Sequence, residues 1–144
     1  MAADRPGNAA PPVEGTLESA LYTTDLAAAE AFYHGILGLA VIARVPGRHV
    51  FFRVGESVLL LFDPRATARP PRPGGLPVPP HGATGPGHYC LRVAARSLDD
   101  WRAHLDACGT PVEADFLWPN GARSLYLRDP AGNSIELSEA RLWE

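Results

Sequence analysis

The chain contains no lysine, only two cysteines, and no apolar run that approaches the ~20 residues of a membrane span. Each shortage excludes something. Two cysteines, Cys90 and Cys108, cannot supply the disulfide framework of a small secreted domain. The opening MAADRPGNAAPPVEGT lacks the apolar stretch of a secretory signal, so residues 1–15 are expected to form an unstructured tail. All 13 basic residues are arginine, a bias that base composition can produce. Against 16 acidic residues they leave a net charge of −3, which fits neither a nucleic-acid nor an anionic-membrane partner. The expected setting is the cytoplasm.

What is present is ordinary for a globular chain: 46% hydrophobic and 20% charged residues. At 144 residues it is most economically one domain, or a compact pair of similar halves. Such a chain buries about two-thirds of its unfolded surface and needs no disulfide or structural metal to fold.

The halves repeat. LESALYT, residues 17–23, has strand character, and Asp25 is placed to cap the helix LAAAEAFYHGIL. Leu26, Ala29, Phe32, Tyr33, Ile36 and Leu37 form its apolar stripe, and Gly38 stops it. LAVIARV, HVFFRV and SVLLLF follow as three short strands, turning at Pro46-Gly47 and Gly55-Glu56. HYCLRVA, residues 88–94, restarts the order. Ser97 and Asp100 make a capping-box pattern before LDDWRAHLDAC, which stops at Gly109. Strands are expected over residues 110–116, 123–127 and 134–138. Gly38 set against Gly109, then Arg53 against Arg128 and Gly55 against Gly132, keeps the order of elements in step throughout, the mark of an internal duplication.

The expected division is therefore 16–63 and 88–139 for two βαβββ units, with a short tail at 140–144. The 64–87 segment between them is so rich in Pro and Gly that neither helix nor central strand is expected there. A connector that long either lies exposed or covers something.

Strand alternation assigns faces. Leu21, Phe52, Val58, Leu91, Val93, Leu125, Leu127, Ile135 and Leu137 are expected under the helices. The other face collects Glu18, Ala20, Tyr22, His49, Phe51, Arg53, His88, Cys90, Arg92, Ser124, Tyr126, Arg128, Ser134 and Glu136. That set is too polar for a dry core and too aromatic for an ordinary wet face. Two curved mixed sheets carrying it would enclose a cleft, and the fold class expected is α+β.

The unit order, DLAAAEAFYHGILGL after the first strand, GPGHYCLRV opening the second half and YLRDPAGNSIEL closing it together resemble the vicinal oxygen chelate superfamily. That group includes glyoxalase I, extradiol dioxygenases, methylmalonyl-CoA epimerase and the fosfomycin- and bleomycin-resistance proteins. The resemblance covers residues 16–139, and RDPAGNSIEL is its most specific part. It implies a divalent ion (Mn, Fe, Ni, Co, Zn or Mg) held by residues on the first and fourth strands of paired units. Carried over by position, these are Glu18, His88 and Glu136. The fourth slot falls on Leu59, or on Leu60 with a one-residue slip, and neither can ligate.

One imidazole and two carboxylates make a facial set that leaves positions for water or a bidentate substrate. Two carboxylates also bring a divalent centre near neutrality and blunt its Lewis acidity. The resemblance thus implies a metal-dependent lyase or isomerase acting on a small oxygen-rich substrate, most plainly as a homodimer. Two alternatives stay open: a metal-free protein that sequesters a ligand, as bleomycin-resistance relatives do, and an Fe(II) extradiol dioxygenase. His49 and Tyr126 are the candidate proton-transfer and hydrogen-bonding groups. Tyr22, Phe51, Arg53, Arg92, Trp118 and Arg128 are candidate substrate contacts, although Arg128 sits where it can also brace the Asp129-Pro130 turn.

Overall fold

The computed structural model describes residues 10–144, so the first nine residues of the expected tail lie outside the described ones. Residues 10–17 form no regular element and are exposed. Two four-stranded mixed sheets follow, each with a helix. The first comprises β1 (Glu18–Tyr22), β2 (Ala40–Val45), β3 (His49–Val54) and β4 (Ser57–Phe62), ordered β1-β4-β3-β2. The second repeats the order as β5-β8-β7-β6, from β5 (His88–Arg92), β6 (Ala114–Leu117), β7 (Arg123–Arg128) and β8 (Ser134–Ser138). In each, the first strand runs parallel to the fourth and the other pairs are antiparallel. Both sheets are open.

Helix α1 (Leu26–Glu30) is capped by Asp25, whose side chain accepts a bond from Ala28 N at 3.0 Å. Its continuation, Ala31–Ile36, is π-wound rather than α-helical as the spacing suggests. There the Leu37 N–H donates five residues back to Phe32 O at 3.0 Å. The consecutive Phe32 and Tyr33 are both buried, their rings edge to face at 4.9 Å. Gly38 and Gly109 end the two helices at φ 73° and 67°, a conformation that strains residues with a Cβ.

Three local expectations are corrected. Ser97 does not cap: it lies in a 3-10 turn, Ala95–Ser97, with helical backbone, and its hydroxyl donates to Ala94 O before α3 (Leu98–Ala107) begins. The connector does hold a helix, α2 (Pro64–Thr67). Asp63 caps it, and Pro64 in its first turn gives up an N–H that would have no partner anyway. Val58 does not face the helix. It pairs with Glu18 and Arg53, so Leu59 and Leu61 are the β4 residues buried under α1.

One hydrophobic cluster joins the helix-bearing sides of both sheets, running from Leu21, Phe32, Tyr33, Phe52 and Leu59 to Leu98, Leu105, Leu125, Ile135 and Leu137. Burial of these side chains is the main force holding the halves together. Polar links add register. The Tyr33 hydroxyl, fully buried, donates to Asp129 Oδ2 at 2.6 Å. Asn133 accepts from Gly87 N at 2.7 Å and donates its amide to Asp129 and to Tyr22 O, tying β1 to the start of β5. Gly87 permits this approach, because a Cβ there would stand 3.3 Å from Leu21 Cδ2.

Candidate functional site

The register makes the two sheets comparable residue by residue. Ala20 lies beside Leu60 and Phe51 across from it; in the second sheet Cys90 and Tyr126 flank Glu136 in the same way. Glu18 therefore corresponds to His88, His49 to Ser124, and Leu60 to Glu136. This settles the fourth-slot ambiguity on Leu60. One face is aromatic at its centre, the other carries a carboxylate.

Glu136 is 3% exposed. A carboxylate so buried is costly unless it is paired or hydrogen-bonded. Ser124 Oγ donates to its Oε2 at 2.6 Å and itself accepts from Trp118 Nε1 at 2.8 Å. Oε1 faces His88 Nε2 at 3.3 Å. His88 Nδ1 lies 3.0 Å from Ser134 O, and a carbonyl can only accept, so the Nδ1 position carries the proton. Nε2 is then either a second N–H paired to the carboxylate or a bare lone pair aimed, like Oε1, at shared space. Two donors each about 2.1 Å from one ion and roughly at right angles stand about 3 Å apart, so this pair fits a divalent cation.

Burial first, and the Glu136 charge second, push the Cys90 thiol up to about 12, leaving it neutral and no nucleophile. Burial and contact with Glu136 likewise push Tyr126 up to about 12, which keeps its hydroxyl a donor. His88 and Phe116 stack on opposite sides of Tyr126 at 6.0 and 5.9 Å, and Phe116 packs on Trp118 at 4.9 Å. A 520 Å³ cavity opens here, lined by His88, Trp118, Tyr126, Glu136, Leu142 and Trp143. The terminal residues expected as a tail thus form a turn, Ala140–Trp143, at the cavity's edge.

The other candidates lie apart from this pair. Glu18 is exposed on β1, and among the described residues no three His, Cys, Asp or Glu side chains converge as a metal would need. His49 stacks on Phe51 at 4.0 Å, and its Nδ1 is buried without a hydrogen-bond partner among the described residues. Tyr22 bonds instead to His81 of the connector, with Tyr22 Oη and His81 Nδ1 2.7 Å apart. Arg53 and Arg92 are exposed on β3 and β5. Arg128 is held by Glu113 at 2.6 Å and donates to Gly132 O, which braces the turn. Sequence reasoning gave no role to His81 or Trp143, because one lies in a Pro- and Gly-rich connector and the other in an expected tail.

The family model of the Glyoxalase/Bleomycin resistance protein/Dioxygenase superfamily matches residues 16–137. The chain belongs to this superfamily. A crystal structure of lactoylglutathione lyase from Agrobacterium tumefaciens superposes at a TM-score of 0.87 with 45% identity, covering 92% of this chain and 98% of that one. A curated but uncharacterized protein of Pseudomonas aeruginosa is 33% identical over 125 residues, 83% of this chain and 84% of that protein. A glyoxalase/bleomycin resistance protein/dioxygenase from Nocardioides shares the fold alone: TM-score 0.68, 22% identity, 92% and 86% coverage. The expected fold class, two tandem βαβββ units, is the fold of this superfamily.

Proposed function

We propose that this superfamily member is a divalent-metal-dependent lyase acting on a small oxygen-rich substrate at the second-sheet cavity. The observation that carries the reading is the His88–Glu136 pair, two donors 3.3 Å apart with the far nitrogen of His88 anchored on a backbone carbonyl. Its likeness at 45% identity to a protein named lactoylglutathione lyase supports the reaction class. His88 and Glu136 would hold the ion; Glu18, at the position in the first sheet that matches His88, is proposed to complete the set from a second copy in a cytoplasmic homodimer. Bound there, a divalent ion would polarise a carbonyl or stabilise an enediolate.

The chain's own residues do the rest. Ser124 fixes Oε2 of Glu136 and so leaves Oε1 as the atom that meets the ligand. Tyr126, protonated at neutral pH, donates a hydrogen bond to a substrate oxygen. Phe116, Trp118 and Tyr126 form an aromatic wall that excludes water from one side of the substrate.

The test is turnover. Metal-supplemented protein incubated with lactoylglutathione and a carbonyl trap should release free thiol and an equal amount of α-oxoaldehyde, the proton moving between the two carbons through the enediolate and the C–S bond then breaking without water, at a rate that falls at least about a hundredfold in Glu136→Gln. Release of thiol that is indifferent to that substitution contradicts the assignment of the site. A second reading rests on Leu60, which cannot ligate: a protein that captures its ligand without converting it. Saturable binding of lactoylglutathione with no thiol release would favour that reading.

A further inference from the structure

A second cavity, 600 Å³ in volume, lies between the connector and the β2–β3 turn. Its lining combines Arg48 of the turn with Arg69 and Arg72 of the connector, together with the apolar side chains of Val45, Leu76 and Val78. Among the described residues no acidic side chain lines it. Five other arginines are paired with carboxylates, Arg44 with Glu30, Arg65 with Asp63, Arg102 and Arg123 with Asp115, and Arg128 with Glu113, while Arg53, Arg92, Arg96 and Arg141 form no ion pair among the described residues but stand outside this cavity. Among the described residues Arg48, Arg69 and Arg72 form no ion pair. Asp63 lies close enough to Arg69 to feel its charge, but its carboxylate is taken up by two nitrogens of Arg65 and by the backbone of α2.

Three arginines bordering one concavity give it a positive potential that attracts an anion. The apolar side chains are equally unspent, with Leu76 82% and Val78 51% exposed. The wall that presents them is held in place. His81 N donates to Thr67 O at 3.0 Å, the His81 ring packs on Phe62 at 4.7 Å, and Gly75 N donates to Arg72 O at 2.9 Å. The connector is therefore folded against the first sheet, and the cavity is a product of that fold.

We propose that this cavity binds an organic anion, a carboxylate or phosphate ester carrying a short apolar chain. The guanidinium groups take the anionic oxygens, bidentately where geometry allows, while Val45, Leu76 and Val78 cover the chain. The site is separate from the His88–Glu136 pair, and the proposal does not rest on the reading of that pair.

Titration calorimetry with hexanoate, hexyl phosphate, inorganic phosphate and hexanol tests it. Methyl spectra are recorded on the same samples. Either six-carbon anion should bind more tightly than inorganic phosphate or hexanol, weaken as salt is raised, and shift the methyl signals of Leu76 and Val78. The double variant R69Q/R72Q should lose at least about tenfold in affinity, whereas E136Q and R96Q should bind as the parent does. Arg69, Arg72 and Arg96 are exposed and tolerate substitution, and an unchanged circular dichroism spectrum checks the fold of every variant, the buried E136Q included. Equal binding of hexanol, affinity that survives R69Q/R72Q, loss of binding in E136Q, or no binding of either six-carbon anion would each overturn the proposal.

Discussion

His49 shows how one residue's surroundings set a measurable property. Its ring is stacked on Phe51 and edge-on to Phe62 at 5.8 Å, and the buried Nδ1 finds no partner among the described residues. Burial first, and the neighbouring Arg48 charge second, hold its pKa below the ordinary 6.5. The unfolded chain therefore binds a proton here more readily than the folded one. Stability is fully present above 6.5 and falls as pH drops through that value toward the folded pKa. His49→Phe, which keeps the stack and removes the titration, should flatten the decline in urea midpoint between about pH 7 and about pH 5. An unchanged decline would show that His49 does not titrate across folding. The sequence placed His49 on the correct face. It could not show that His81, 32 positions along, packs on the same Phe62 ring and helps fill that face with aromatics rather than leaving it wet.

At the scale of elements, the joint between the halves is the turn DPAGN meeting the π-wound end of the first helix. Asp129 receives the Tyr33 hydroxyl, the Asn133 amide and the backbone N–H groups of Ala131 and Asn133. Tyr33→Phe removes only the first of these and leaves the ring packed on Phe52 at 5.5 Å. It should cost about 1.5–3 kcal/mol, the range for a buried hydrogen bond to a charged group, read as a lower urea midpoint at constant slope. A loss within error would mean that water replaces the hydroxyl and the joint is apolar alone. RDPAGN was legible in sequence as a turn motif. Its partner was not, because Tyr33 lies 96 positions away on a helical stripe where an aromatic needs no polar reason to be.

For the whole molecule, the duplication was the most legible feature. Gly38 and Gly109 both end helices, and Arg53 and Arg128 hold the same register, opposite Val58 and Ser134; Gly55 and Gly132 do not match in this way, because the β3–β4 turn has two residues, Gly55-Glu56, and the β7–β8 turn five, 129–133. The misplacement of Val58 has a plain cause: SVLLLF is apolar at five consecutive positions, so alternation carries no signal there and only pairing with Glu18 and Arg53 fixes the face. Short-range signals failed in the same way. Ser97 matches a capping pattern that a preceding 3-10 turn takes over, and Pro64 marks a helix start inside a segment whose composition argues against helix. Of the three candidate ligands, the structure brings two together. Register brings His88 and Glu136 together within one chain, while Glu18 belongs to a sheet whose own face is closed by aromatics and His81. Completion by a second copy is what the proposed function requires, and it makes Glu18 as necessary as the visible pair.

Elemental analysis of protein purified in buffer supplemented with divalent metals puts this to the test. The parent should carry about one ion per chain, and Glu136→Ala, His88→Ala and Glu18→Ala should each carry almost none while retaining the parent's circular dichroism spectrum. A Glu136→Ala protein that keeps its full complement of metal would contradict the account.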